Sequence, residues 1–475
     1  MSTRAWGVLF VLCGAIFLEG IDVAMLNVAL PSIRADLDLT TGELQWVMSA
    51  YVLGYGGFML LGGRAADLFG RRRMFIGWLV VFLLFSGLGG LASEAWMLIA
   101  ARFITGVAAA FMTPAGLSII TTGFPEGPRR NRALLIYSGT AAAGFSLGLV
   151  IGGLLTAVNW RWVFFAPVFL SLVILLAALA LLPRTPEERP AERRGVDVAG
   201  ALTVTGAILL LVVTVERASH TAGVRTAATL AAGLALLAVF VVIERRSATP
   251  LVRLGILRSA ALVRANLGGL LLAGAFFGFQ FIVVLYLQEL RGWSTLETSF
   301  AMLVLGIDAV LAPTLTPRLV NRYGNVRVIL GGLLVAAVAY AAFLPIGPDT
   351  AYAAMFPTML LVGISFALAY GPLTIAATDG IDEAEQGLAG GLLYTSFQFG
   401  AALGLSTVTA VNVAATGPGT DGALDGFRAA LLVPLGAALL AAAVVATGLR
   451  RGNAPGEPVT GQVAEPTGER AVTAS

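Results

Sequence analysis

The sequence predicts an all-α integral membrane protein, two six-helix bundles plus two extra helices, with 14 transmembrane helices in all. Three observations carry this expectation. Of the 475 residues, 58% are hydrophobic and only 12% are charged, whereas soluble domains carry about 45–50% apolar and about 25% charged residues. Apolar runs of roughly 20 residues, the length that crosses a bilayer, recur along nearly the whole chain. A short loop rich in Gly and Arg, beginning at Gly63, has a weaker echo beginning at Pro317. Repeated halves with a binding site between them are typical of secondary transporters.

The spans fall near 6–30, 44–62, 74–92, 96–121, 133–157 and 162–182 in the first half. Two shorter ones follow near 197–215 and 226–243. The second half holds 262–287, 296–316, 327–345, 351–373, 386–411 and 427–449. The first run follows Arg4 in the manner of a signal peptide, but Glu19 and Asp22 interrupt it and no small-residue cleavage site follows, so it reads as an uncleaved span. The expected organisation is a first bundle at 1–182, cytoplasmic linkers with the two extra helices at 183–261, and a second bundle at 262–449. A disordered cytoplasmic tail follows at 450–475, rich in Gly, Pro, Thr and Glu.

Charge placement gives the orientation. All 30 basic residues are Arg, and 23 of them fall at the N-terminus, in alternate loops and in the tail. Six lie on the opposite side, and Arg102 lies within a span. The bias toward positive cytoplasmic loops then puts both termini in the cytoplasm of a bacterial plasma membrane. The net charge of +3 is spread over many short loops, which excludes a nucleic-acid partner. Without Lys there is no P-loop and no Schiff-base chemistry. One Cys (Cys13) and one His (His220) exclude disulfide frameworks, Cys/His zinc sites and His-based triads. Gly144-Phe145-Ser146-Leu147-Gly148 spells the G-x-S-x-G of a hydrolase elbow, but its Ser lies inside an apolar helix with no His partner nearby. The expectation is therefore not an enzyme, with no cofactor and no metal.

Four segments give the chain a family resemblance. Ile21 to Pro31 reads as a first-helix signature. Gln45-Trp46 through Tyr51, followed by Gly63-Arg64-Ala65-Ala66-Asp67-Leu68-Phe69-Gly70-Arg71-Arg72-Arg73, matches a second helix and its signature loop. Arg102-Phe103-Ile104-Thr105-Gly106 matches a fourth-helix motif, and Gly144 to Gly153 a fifth-helix antiporter motif. Over about residues 6–450 the chain resembles the major facilitator superfamily, specifically its fourteen-helix drug:proton antiporters of the EmrB/QacA type. Leu149 stands where the antiporter motif normally has Pro. The resemblance implies the major facilitator fold and an alternating-access exporter, functional as a monomer, that exchanges a small organic substrate for protons. It also implies that Gly63, Arg64, Asp67, Gly70, Arg71 and Arg72 form a conformational latch at the cytoplasmic face, with Glu383 and Glu385 as partners. Gly144, Gly148, Gly152 and Gly153 are the antiporter motif, and their spacing alone calls for close helix packing.

Embedded ionisable groups need a reason to persist, because each costs roughly 2.5–3.5 kcal/mol at the bilayer centre. Glu19 and Asp22 are three apart and share a helix face. Asp22 and Arg102 lie at depths that agree within about one helical turn. The expected proton-coupling set is Asp22, Glu19 and Arg102, with Asp22 carrying the proton and Arg102 tuning it; a static ion pair is the alternative. Glu19, Asn27 and Asp308 are expected to contact substrate, and Asp308 could equally join proton transfer. Trp46, Tyr51, Phe276, Phe277, Phe279 and Phe281 are candidates for a cavity lining, though packing accounts for each of them as well. Three embedded acids against one Arg favour amphipathic or cationic compounds such as drugs or antibiotics. A dedicated exporter of one metabolite, a self-made antibiotic or a siderophore, fits the same residues.

Overall fold

The bilayer leaves no water to satisfy backbone amides, so the chain answers with helices throughout. The computed structural model describes residues 3–39, 41–125, 127–183, 197–218, 223–247, 250, 252, 254–382 and 385–449. The linker 184–196, His220, Glu383 and the tail 450–475 lie outside the described residues, as do the side chains of Arg4 and Gln45. In the first half run α1 (Thr3–Leu37), α2 (Thr41–Phe69), α3 (Arg71–Gly90), α4 (Ala95–Gly123), α5 (Pro128–Val158) and α6 (Trp162–Leu181). The two extra helices are α7 (Val198–Ala218) and α8 (Val224–Arg246). The second half holds α9 (Ala260–Leu285), α10 (Thr295–Met302), α11 (Asp308–Thr314), α12 (Thr316–Tyr323), α13 (Asn325–Phe343), α14 (Tyr352–Thr378), α15 (Gln386–Ala415) and α16 (Gly419–Ala446). Among the described residues, 13 helices or helical runs are long and apolar enough to cross a membrane, and the apolar run of α7, Ala199–Leu211, is shorter.

The expected tenth span is broken. A 3₁₀ turn, Leu303–Ile307, separates α10 from α11, and a further break at Leu315 separates α11 from α12. Pro313 and Pro317 each lack the amide that would bond the preceding turn, and Gly306 lies in the 3₁₀ turn. The tightened backbone carries the Leu305 carbonyl against α14, where a Cβ built on Gly363 would sit 2.4 Å from it. Asp308 is therefore the first residue of a new helix rather than the middle of a continuous one.

The internal repeat is visible in the packing. In the first half α1 packs on α5, α2 on α4, and α3 on both α4 and α6. In the second half α9 packs on α15, the broken tenth span on α14, and α13 on both α14 and α16. Small residues form both central seams. A Cβ on Gly144 would fall 2.5 Å from the Phe17 oxygen, one on Gly148 2.7 Å from the Ala24 Cβ, and one on Gly152 2.6 Å from the Met25 Cα. The counterpart seam is closer still: a Cβ on Gly404 would lie 2.1 Å from the Gly274 oxygen. With no hydrophobic driving force between helices in lipid, such close backbone approach supplies the cohesion. The halves meet where α2 faces α15 and where α5 faces α10, α11 and α14. α7 lies along the α2/α15 seam and touches both helices, while α8 packs on α7. The outer faces present Leu176, Phe169 and Leu202, exposed by 61%, 62% and 70%, as a lipid-facing surface requires.

This packing yields a contrast between two glycines. Gly404→Ala should lower the thermal stability of the detergent-solubilised protein by about 1–3 kcal/mol, because backbone must move to admit the methyl group. Gly436→Ala on α16, where a Cβ meets nothing within 4 Å, should cause no loss. Equal melting temperatures for the two variants would contradict the seam.

Candidate functional site: buried acids and the contact between the halves

The first-half site is built by α1, α2 and α4. Glu19 and Asp22 on α1 are 5% and 2% exposed, and Arg102 on α4 is 2% exposed. An Arg102 guanidinium nitrogen donates to Asp22 Oδ2 at 2.6 Å. The face of Tyr51 lies 4.4 Å from the Arg102 Cζ, so the cation is held by a carboxylate and an aromatic ring together. The expected agreement in depth is thus a direct ion pair.

Glu19 has different neighbours. The Thr113 hydroxyl lies 2.5 Å and 2.6 Å from the two Glu19 oxygens and 2.9 Å from the Ala109 carbonyl. Tyr55 donates to Glu19 Oε2 at 3.3 Å. A hydroxyl has one proton and two acceptor lone pairs. With Glu19 ionised, Thr113 donates to it. With Glu19 neutral, the acid donates to Thr113, which turns its own proton to the Ala109 carbonyl. Both protonation states keep a full set of hydrogen bonds. Thr113 and Tyr55 were not singled out from the sequence, yet a signal exists. Thr113 is 11 residues from Arg102, about three helical turns, so both share a face of α4; Tyr55 follows Tyr51 by one turn.

In the second half Asp308 is 3% exposed and borders the contact with α5. A Cβ on Gly139 would fall 2.7 Å from the Ala312 Cβ, and one on Gly306 2.6 Å from the Ser146 hydroxyl. A Cβ on Gly153, at the far end of α5, would lie 3.8 Å from a Leu296 methyl carbon. Asn27 is half-buried on α1, two turns beyond Glu19, and Leu149 is half-buried on α5. The candidate aromatics divide. Phe277 meets Phe145 of the other half at 5.9 Å and Phe276 at 5.5 Å. Phe276 stacks on Phe366 at 4.2 Å, Phe366 on Tyr370 at 5.0 Å, and Tyr370 meets Phe397 at 4.8 Å. Phe279 instead fills the core of the second half against Tyr340 and Phe343, Phe281 is half-buried, and Trp46 is 44% exposed.

At the Arg-rich end the signature loop crosses between halves through only some of its residues. A Cβ on Gly63 would lie 2.3 Å from the Gly387 oxygen. The Asp67 side chain, 3% exposed, accepts from the Leu388 amide at 3.3 Å and from Ser118 at 3.4 Å, and Arg71 lies 3.6 Å from it. The charge on Asp67 thus meets the amides opening α15, which is where a helix favours an anion. Of the two acidic partners expected for this loop, Glu383 lies outside the described residues. Gly70 adopts φ 94° before α3, a left-handed conformation that favours Gly. Arg64 is half-buried and acts on the Asp67 charge together with Arg71. Arg72 donates to the carbonyls of Leu182 at 3.2 Å and Leu179 at 3.4 Å, so these bonds tie α3 to the end of α6 within its own half. At the opposite end, Asp36 accepts from Trp160 at 2.9 Å and Arg161 at 2.7 Å. These two hydrogen bonds hold its carboxyl below the usual range.

The description Major Facilitator Superfamily belongs to the family model that matches residues 12–405. The chain belongs to the major facilitator superfamily. It is a multi-span membrane transporter, not an enzyme. Among curated proteins it is 35% identical to the cephamycin export protein CmcT of Amycolatopsis lactamdurans, over 89% of this chain and 87% of that one. It is 33% identical to the puromycin resistance protein pur8 of Streptomyces alboniger, over 92% and 90%, and 32% identical to the lincomycin resistance protein of Streptomyces lincolnensis, over 96% and 94%. Among solved structures, the human organic anion transporter MFSD10 superposes with a TM-score of 0.68 at 15% identity, covering 94% of this chain and 100% of that one. The proton:xylose symporter XylE superposes at 0.65 and 15% identity, covering 94% and 96%. Both likenesses speak for the fold.

The ion pair makes the two partners unequal in mutation. Asp22→Asn keeps an amide oxygen that accepts from Arg102, and the protein should remain folded with a modest loss of stability. Arg102→Ala leaves a buried carboxylate without its donor and should cost about 3–5 kcal/mol. Thermal melting in detergent checks the order; equal, small losses would contradict a tightly coupled pair.

Proposed function

We propose that this transporter exports amphipathic or cationic organic compounds, such as drugs or antibiotics, in exchange for protons. The observation that carries the proton half is the Glu19 site, where Thr113 and Ala109 accept either protonation state without losing a hydrogen bond. Asp22, paired with Arg102, sets the field beside it. In this reading Glu19 takes the loading role expected of Asp22, and Asp22 holds the neighbouring charge. Energy comes from the proton gradient alone, with no cofactor. Positive-inside bias puts the Arg-rich end and both termini in the cytoplasm of a bacterial plasma membrane, and the single chain contains both halves of an alternating-access cycle, so it works as a monomer. Protons enter from outside to the first-helix acids, the substrate leaves, and the halves exchange which end is open.

The substrate half rests on two supports. The similar proteins are named for export of, or resistance to, antibiotics. The aromatic series from Phe277 to Phe397 and the carboxyl of Asp308 offer stacking faces and a charge to a flat cation. A second reading, dedicated export of one self-made compound, is favoured by those same names, each of which carries a single antibiotic.

Two experiments test this. Well-expressed Glu19→Gln and Asp22→Asn variants should lose efflux driven by a proton gradient in proteoliposomes; full gradient-driven efflux by either would remove that residue from the coupling path. A substrate panel should separate roles for Asp308. Asp308→Asn is expected to weaken transport of cationic compounds and spare neutral ones, because low dielectric magnifies the attraction of a carboxylate for a cation. Equal loss for all substrates would move it into the proton path instead.

A further inference from the structure

The first turns of α5 carry three Arg residues, and they do not behave alike. Arg129 and Arg132 are exposed, as anchors at lipid phosphates should be. Arg130 is 2% exposed. Its guanidinium crosses to the second half and donates to the carbonyl of Thr378, the last residue of α14, at 2.9 Å. It also lies 4.0 Å from Asp379. Gln386 donates to the same Thr378 carbonyl at 3.2 Å and to Ile381 at 2.7 Å, so the helix end is held from both sides. The final carbonyls of a helix have no partner within it and carry its negative pole. A cation is the group that such an end accepts.

We propose that Arg130 is a second clamp between the halves, opposite in polarity to Asp67. One short connection, 379–385, joins the end of α14 to the start of α15. The first half meets the negative end with Arg130 and the positive start with Asp67. The two clamps differ in one respect. A carboxyl can be neutralised by a proton, whereas a guanidinium keeps its charge at any pH a protein meets. Arg130 therefore holds the Arg-rich end shut in a manner indifferent to protons, as a positioning residue for the transport cycle.

The inference rests on the alternating-access reading, and its test needs neither substrate nor proton gradient. The probe is a single cysteine at Met59, a fully buried residue of α2 whose carbonyl packs against Gly391 of α15, in a Cys13→Ala background. A membrane-impermeant thiol reagent is applied from the Arg-rich side. Arg130→Gln should speed modification by roughly fivefold to thirtyfold, and Arg130→Lys should return it toward the parent rate. Asp379→Arg, at a side chain 52% exposed, should fold normally, repel Arg130 and speed modification as well. An unchanged rate in Arg130→Gln overturns the proposal. If that variant does not fold, an unchanged rate in Asp379→Arg does so. Failure of proton-driven efflux in the wild-type protein would overturn the exporter reading and leave this measurement standing.

Discussion

The pair between Arg102 and Asp22, 2.6 Å long and shut away from solvent, is the contact on which the first half is organised. Charges at this depth carry a desolvation cost that only close pairing offsets. Closing the pair fixes which face of α1 looks toward α4 and at what height. Glu19, one turn away, is thereby delivered to Thr113 and Tyr55. The opposite face of α1 is then presented to the small residues of α5. A slip of one residue along α1 would break the ion pair and carry Ile21 and Met25 off the notches at Gly148 and Gly152 that now receive them, so charge and packing enforce the same register.

Much of this was legible in the sequence because lipid imposes few alternatives. Apolar run length gave the helices, and the isolated acids within them gave the site on α1. The Gly spacing of 144, 148 and 152 announced a seam, although nothing in the spacing said that α1 would fill it. What stayed hidden has a common physical character. The hydrogen bonds that Asp67 and Arg130 make across the halves go to backbone groups at helix ends, and backbone groups leave no mark in composition. Acidic residues such as Glu383 and Glu385 are legible as partners for the arginines of the loop, whereas the pole of α15 that meets Asp67 is not. Thr113 was hidden because a hydroxyl in an apolar helix commonly bonds the preceding turn, as this one also does with Ala109.

The broken tenth span shows where local chemistry overrode the apolar pattern. Hydropathy reads 296–316 as one helix, and Pro313, Pro317 and the tight passage beside Gly363 divide it. Its counterpart α2, in the first half, stays continuous over 29 residues. The two halves are therefore alike in layout and unlike in helix continuity, and the second half keeps the buried carboxyl of Asp308 at the joint.

The extra helices carry a mechanical consequence. Leu209 of α7 occupies the notch left by Gly57 on α2, where even a methyl group would collide at 2.5 Å, and α7 also rests on α15. A knob seated in a notch resists sliding, whereas a flat contact does not. Any displacement of α15 relative to α2 would therefore fall on the flank of α7 that rests on α15, and the seated Leu209 would keep α7, with α8 packed on it, in step with the first half.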